Sequence, residues 1–172
     1  DNIDTSVLEM QDAYVAGDEE LVRAKTEEII NQLAGKGNED YKDWDQNGKI
    51  SNPSDDYGLL ENEENGITRG YVPTTISHAN FAADAPDATE NIKTQADHVV
   101  TSIDNIEGWA SQLLHLATEL QETPFGTDME PLIADMVNLS SQMLYGVDTN
   151  ANGLIEPIVG EGGADTAYTQ AY

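Results

Sequence analysis

Residues Asp87 to Glu122 read DATENIKTQADHVVTSIDNIEGWASQLLHLATELQE. Along them Ile92, Ala96, Val99, Ile103, Ile106, Ala110, Leu113, Ala117 and Leu120 recur in alternating steps of four and three. That period puts one unbroken apolar stripe on an α-helix, as in a heptad seam. Asp87 and Glu90 are expected to supply its N-terminal cap, and Gly108 lies off the stripe, where it can bend the helix without stopping it. At ~1.5 Å per residue the helix would be on the order of 50 Å long, and it would set the long axis of the molecule.

Shorter helices are predicted on either side. Ser6-x-x-Glu9 has the form of a capping box opening a short helix that stops at Gly17. Asp18 then caps a second helix, with Glu19 and Glu20 in its first turn, Leu21, Val22, Ile29, Ile30 and Leu33 on one face, and Gly35 and Gly37 at its end. The Gly- and acid-rich stretch from Tyr57 to Gly70 is expected to be irregular. A modest helix is predicted from about Pro73 to Ala85, with Ile76, Ala79 and Ala83 facing inward. Thr127-x-x-Glu130 opens another, striped by Met129, Leu132, Ile133, Met136, Val137, Ser140, Met143 and Leu144 and ended by Gly146. The expected fold is all-α: one domain over residues 1–172, an elongated up-and-down bundle.

Two stretches joining these helices spell nearly the same thing. Asp43-Trp44-Asp45-Gln46-Asn47-Gly48-Lys49-Ile50 and Asp148-Thr149-Asn150-Ala151-Asn152-Gly153-Leu154-Ile155 each place an oxygen-bearing side chain at alternate positions, then a glycine for a sharp turn. A hard cation such as Ca²⁺ takes six to eight oxygens, and a tight loop supplies them when alternate side chains point inward. Asp43, Asp45, Asn47 and the Lys49 carbonyl are therefore the expected calcium ligands of the first loop, with Asp55 or Asp56 closing the shell. In the second loop they are Asp148, Asn150, Asn152 and the Leu154 carbonyl, with Glu156 or Glu161 closing it. The position that holds a bidentate Glu in an EF-hand is Ser54 in one loop and Val159 in the other. Both loops are thus EF-like or dockerin-like rather than true EF-hands. Loop, Pro53 or Pro157, acidic Gly-rich connector and following helix form an internal repeat over 18–85 and 127–172.

Thirty-three acidic residues against seven basic ones give a formal net charge of −26. Nucleic acid and anionic membranes need Lys and Arg to neutralise phosphate, so neither is an expected partner. Cations are, because self-repulsion of this size destabilises the compact state until ions bind or screen it. No cysteine is available for disulfides or thiolate metal sites, and no apolar run suggests membrane insertion. Opening at Asp1 rather than Met predicts a processed mature chain or a trimmed one rather than a native start. Weak calcium loops suit calcium-rich surroundings, so the expected location is extracellular or at the cell surface, or else periplasmic.

No nucleophile with an adjacent base, and no phosphate loop, is visible, so enzymatic activity is not expected. His98 and His115 are too far apart along one helix to share an ion. His78 could meet His98 if their helices pack antiparallel, which gives an alternative reading as a metal- or haem-binding protein. Met136 and Met143 read as core filling. Asn138-Leu139-Ser140 matches a glycosylation acceptor but lies on an apolar helix face.

Glu28-Ile29-Ile30-Asn31, Tyr41 to Gly48, Asn52-Pro53 with Gly58-Leu59-Leu60, and Ile155-Glu156-Pro157 with Gly160 to Ala164 resemble a family of exported bacterial helical proteins that remain uncharacterised. The resemblance covers roughly Leu21 to the C-terminus. It implies export and a helical repeat with EF-hand- or dockerin-like calcium loops, and it implies no activity. Members of that family often carry histidines where this chain has Lys25 and Glu28, so the resemblance transfers no haem or transition-metal role. The expected function is a calcium-stabilised structural or adhesive module, a subunit of a surface assembly or filament. It would act through self-association or contact with another surface protein. Ala167, Tyr168, Ala171 and Tyr172 would supply an apolar helix face for head-to-tail contact.

Overall fold

The computed structural model describes residues 2–171. Six helices and one small hairpin follow in the order α1 (Asn2–Ala16), α2 (Glu19–Ala34), β1 (Asn62–Glu64), β2 (Ile67–Arg69), α3 (Tyr71–Ala83), α4 (Glu90–Glu122), α5 (Met129–Tyr145) and α6 (Ala164–Gln170). The molecule is a helical bundle built around α4, which packs against α2, α3, α5 and α6, while α1 lies against α2 and α5.

The seam of α4 explains this central position. Ala96, Val99, Ile106, Ala110, Leu113, Ala117 and Leu120 are all buried; Ile92, in the first turn, is exposed. Small alanines alternating with larger residues let neighbouring helices approach closely, and the core is completed by Val7 and Met10 from α1, Val22, Ile29, Ile30 and Leu33 from α2, and Met129, Ile133, Met136 and Met143 from α5. Gly108 lies inside α4 without stopping it.

Several helix starts differ from those predicted. Ser6 lies well inside α1, where it is buried and accepts a hydrogen bond from Gln32 Nε2 at 3.0 Å. A serine with an acidic residue three places on can face a neighbouring helix as readily as it caps its own. Asp18 does cap α2, accepting from the Leu21 amide at 3.1 Å. The cap of α4 is Thr89 rather than Asp87, its hydroxyl accepting from Ile92 N at 3.3 Å. In α5 the N-cap position falls on Asp128, and its side chain makes no cap hydrogen bond.

The segment expected to be irregular contains the hairpin, so the chain is mostly rather than wholly helical. Asn62 pairs with Arg69, Glu63 with Thr68 and Glu64 with Ile67. Asn65 and Gly66 form the turn with φ of 56° and 78°, the left-handed pair that a two-residue hairpin requires. An ion pair between Arg69 and Glu64 ties the strands, and the Arg69 guanidinium lies 4.9 Å from the Tyr57 ring centre. At the hairpin's base, Tyr71 N donates to Gly58 O and Val72 N to Leu59 O, both at 3.0 Å. These bonds bring the start of α3 directly beside the end of the first loop.

The C-terminus of α4 is held from a distance in sequence. Arg23 on α2 donates to the carbonyls of Leu120 at 2.6 Å, Gln121 at 3.0 Å and Thr123 at 2.7 Å. A guanidinium there satisfies orphan carbonyls and answers the negative end of the helix dipole. Arg23→Ala is expected to cost about 2–3 kcal/mol in urea unfolding, the range for charged hydrogen bonds.

The short C-terminal helix is already docked. Ala167 is buried, α6 lies against α4 and α5, and Gln170 Oε1 is 2.8 Å from His98 Nδ1. The apolar side expected to seek another copy thus includes a residue used inside this domain, and Tyr172 lies outside the described residues.

Candidate metal-binding loops

The first loop leaves α2 at Gly35 and is organised by a side chain of that helix. Glu27 is fully buried. Its Oε2 accepts from the backbone N–H of Trp44 at 2.7 Å and of Asp45 at 3.0 Å, and its Oε1 from that of Ser51 at 2.6 Å. The chain is thereby wrapped over one carboxylate. One turn further along α2, buried Asn31 accepts from Lys42 N at 3.0 Å and donates to the carbonyls of Lys42 at 3.1 Å and Ser51 at 2.9 Å. Glu27 and Asn31 share a helix face at i and i+4, so α2 forms the floor of the loop.

Above this floor the predicted ligands hold the turn. Asp43 accepts from Asn47 N at 3.1 Å and Gly48 N at 2.8 Å, Asp45 from Asn47 N at 2.9 Å, and Asn47 Oδ1 from Lys49 N at 2.9 Å. Glu27, Asp43 and Asp45 each offer an oxygen, and these oxygens lie within 4.8 Å of one another; among the described residues no other group of three His, Cys, Asp or Glu side chains does so. Burial pushes the Glu27 carboxyl above its ordinary range and the Asp45 charge adds to this, while the backbone donors from Ser51, Asp45 and Trp44 pull the other way. A carboxylate offers about four lone-pair sites, and backbone donors take three of those on Glu27.

Neither candidate for closing this shell from downstream turns into it. Asp55 accepts from the Tyr71 phenol at 2.5 Å and from Tyr57 N at 3.2 Å. That phenol bond, first among the causes, holds the Asp55 carboxyl below the usual range. Asp56 accepts from the Tyr41 hydroxyl, and burial followed by the Asp56 contact pushes that phenol up to about 12.

The second loop repeats the turn in each of its bonds from backbone N–H groups. Asp148 accepts from Asn152 N at 3.1 Å and Gly153 N at 2.7 Å, Asn150 Oδ1 from Asn152 N at 3.0 Å, and Asn152 Oδ1 from Leu154 N at 2.8 Å. A fully buried carboxylate sits beneath it too: Glu161 accepts from the Thr149 hydroxyl at 2.9 Å, Asn150 N at 3.2 Å and Glu156 N at 3.3 Å. Here, however, the buried acid follows the loop in sequence instead of preceding it. Glu156 receives the amide N–H groups of Asn150 at 3.4 Å and Asn152 at 2.6 Å. Each loop is also tied at its neck, Lys36 N to Asp56 O and Val147 N to Glu161 O, both at 2.9 Å.

Of the ligands expected from sequence, Asp43, Asp45 and Asn47 hold the first turn and Asp148, Asn150 and Asn152 the second, with Glu156 and Glu161 bonded to the second. Only Asp43 and Asp45 of these belong to a cluster of three carboxylates among the described residues. Sequence reasoning missed Glu27. The available signal was a Glu set among Ile29, Ile30 and Leu33, close to the buried face of α2 and just upstream of a loop rich in backbone donors. His98, bonded to Gln170, and His78 on α3 belong to no such cluster among the described residues. Among those residues no helix is long and apolar enough to cross a membrane. Set against known proteins, the chain matches no family model, no curated protein and no solved structure.

Proposed function

We propose that the protein is a calcium-stabilised structural or adhesive module acting outside the cytoplasm, an elongated bundle pinned at its helix ends by two calcium loops that repeat within the chain. The observation that carries this reading is the convergence of Glu27, Asp43 and Asp45 on one place with none of them in an ion pair among the described residues. Like charges so close repel one another in a partly buried setting, and a divalent cation turns that repulsion into attraction. The matching hydrogen bonds of the second loop support the same role for it; Asp148, Glu156 and Glu161 do not converge as the three acids of the first loop do, so the first loop carries the reading. Side-chain and backbone oxygens without sulfur or imidazole favour a hard ion over zinc or copper.

An ion that binds the folded chain alone stabilises it by about 2.7 kcal/mol per site at 100 times Kd. In a domain of this size that raises Tm by roughly 5–10 °C per site. Removing calcium with a chelator at low ionic strength is expected to lower Tm by that amount, and magnesium is expected to restore it poorly. A melting curve indifferent to chelator would reduce both loops to polar turns and remove the basis of the proposal.

A further inference from the structure

The second loop carries apolar residues that its architecture does not require. Leu154, Ile155, Ile158 and Val159 crowd one short turn and are 63%, 39%, 43% and 86% exposed. Counted from the shared Asp, the matching positions of the first loop hold Lys49, Ile50, Pro53 and Ser54, and that loop makes the same backbone hydrogen bonds. Polar side chains therefore serve the turn equally well at the places of Leu154 and Val159.

Single exposed apolar residues are ordinary, whereas a group of them marks a contact surface. This one is also held firmly. Asn105 of α4 donates to the carbonyls of Ile158 at 2.9 Å and Gly162 at 3.1 Å and accepts from Gly160 N at 2.7 Å. A surface ordered in advance loses little entropy when it binds. Its surroundings carry one sign of charge: Asp148 and Glu156 flank it, and beyond Lys93 the chain has no lysine or arginine.

We propose that Leu154, Ile158 and Val159 form a docking knob for a basic, apolar-faced segment of another protein. Charge complementarity decides the occupant. A second copy would set a net charge of −26 against −26, whereas a segment with lysines or arginines around an apolar face gains from both burial and the field. The inference needs no ion in either loop, so it stands or falls apart from the calcium reading.

The test is titration of a fluorescent leucine–lysine amphipathic peptide at about 0.15 M salt, where long-range attraction is largely screened. The wild-type chain is compared with the triple variant Leu154→Gln, Ile158→Thr, Val159→Ser, which leaves net charge unchanged. The variant is expected to bind at least roughly tenfold more weakly, as for loss of a contact centre, with Tm in calcium-free buffer preserved. An oligolysine of the same length is expected to bind both proteins alike. If the triple variant misfolds, Val159→Ser alone is the fallback, with an expected weakening of about threefold. Equal affinity of the leucine–lysine peptide for wild type and variant overturns the proposal, since the attraction would then be charge alone. Sedimentation showing that the wild type associates with itself through this turn, and the variant does not, overturns it in favour of a second copy.

Discussion

Glu27→Gln is expected to lower the calcium affinity proposed for the first loop by about a hundredfold, the upper end of the range for loss of a group that orders a metal's ligands. Glutamine keeps the length of the side chain and one acceptor oxygen. It removes one of the three carboxylates that converge at the site and puts an amide donor where Glu27 now accepts backbone N–H groups. Glu27→Ala goes further, because it leaves the amides of Trp44, Asp45 and Ser51 without their acceptor. At ~1–3 kcal/mol for each donor stranded away from water, and less where water enters, the expected loss is about 2–4 kcal/mol even without calcium. Isothermal titration and urea unfolding separate the two effects. Wild-type affinity in Glu27→Gln would show that α2 contributes shape to the loop and no ion site.

The second large effect is expected at Gly146, where α5 ends. Its φ and ψ are +80° and −173°, a region essentially reserved for glycine that costs another residue roughly 1–3 kcal/mol. An added Cβ would also press on the Glu161 carbonyl and come within 2.6 Å of Ile155 Cγ2. The Glu161 carbonyl cannot yield freely, because it accepts from Val147 N at 2.9 Å and the Glu161 side chain lies beneath the second loop, whereas the partly exposed Ile155 side chain can turn aside. Gly146→Ala is therefore expected to cost about 3–4 kcal/mol, strain and overpacking together, and to weaken any ion binding by the second loop in parallel. Gly153→Ala serves as the control. It has a similar φ of +86° and open space around it, so only the backbone cost should appear. Equal losses in the two variants would mean that the tight neck around Gly146 matters little.

How far the sequence was legible depended on whether a signal was local. The long helix could be read because its seam is periodic and its partners need only be apolar; Ala110, Leu113, Ala117 and Leu120 are buried as their spacing requires. The two loops could be read because Asx-type side chains fold back on amides a few places ahead, as Asp43 does on Gly48 and Asp148 on Gly153. The Asn65-Gly66 turn was equally local and was passed over in an acidic stretch whose strands are only three residues each. Ser6 misled because a capping box and an inward-facing serine share the same letters.

By itself the sequence determined a helical bundle around Ile92–Leu120 and two like turns rich in oxygen, since each follows from neighbours in the chain. Tertiary structure alone decided which carboxylate lies under each turn. Glu27 reaches the first loop from the helix before it, and Glu161 reaches the second from the segment after it. The reason is physical: a buried carboxylate must be surrounded by donors, and any chain segment that packs close enough to present backbone N–H groups will serve. No spacing rule joins Glu27 to Ser51, so only packing could bring them together, whereas Glu161 was one of two nearby acids the sequence offered to the second loop and packing chose between them.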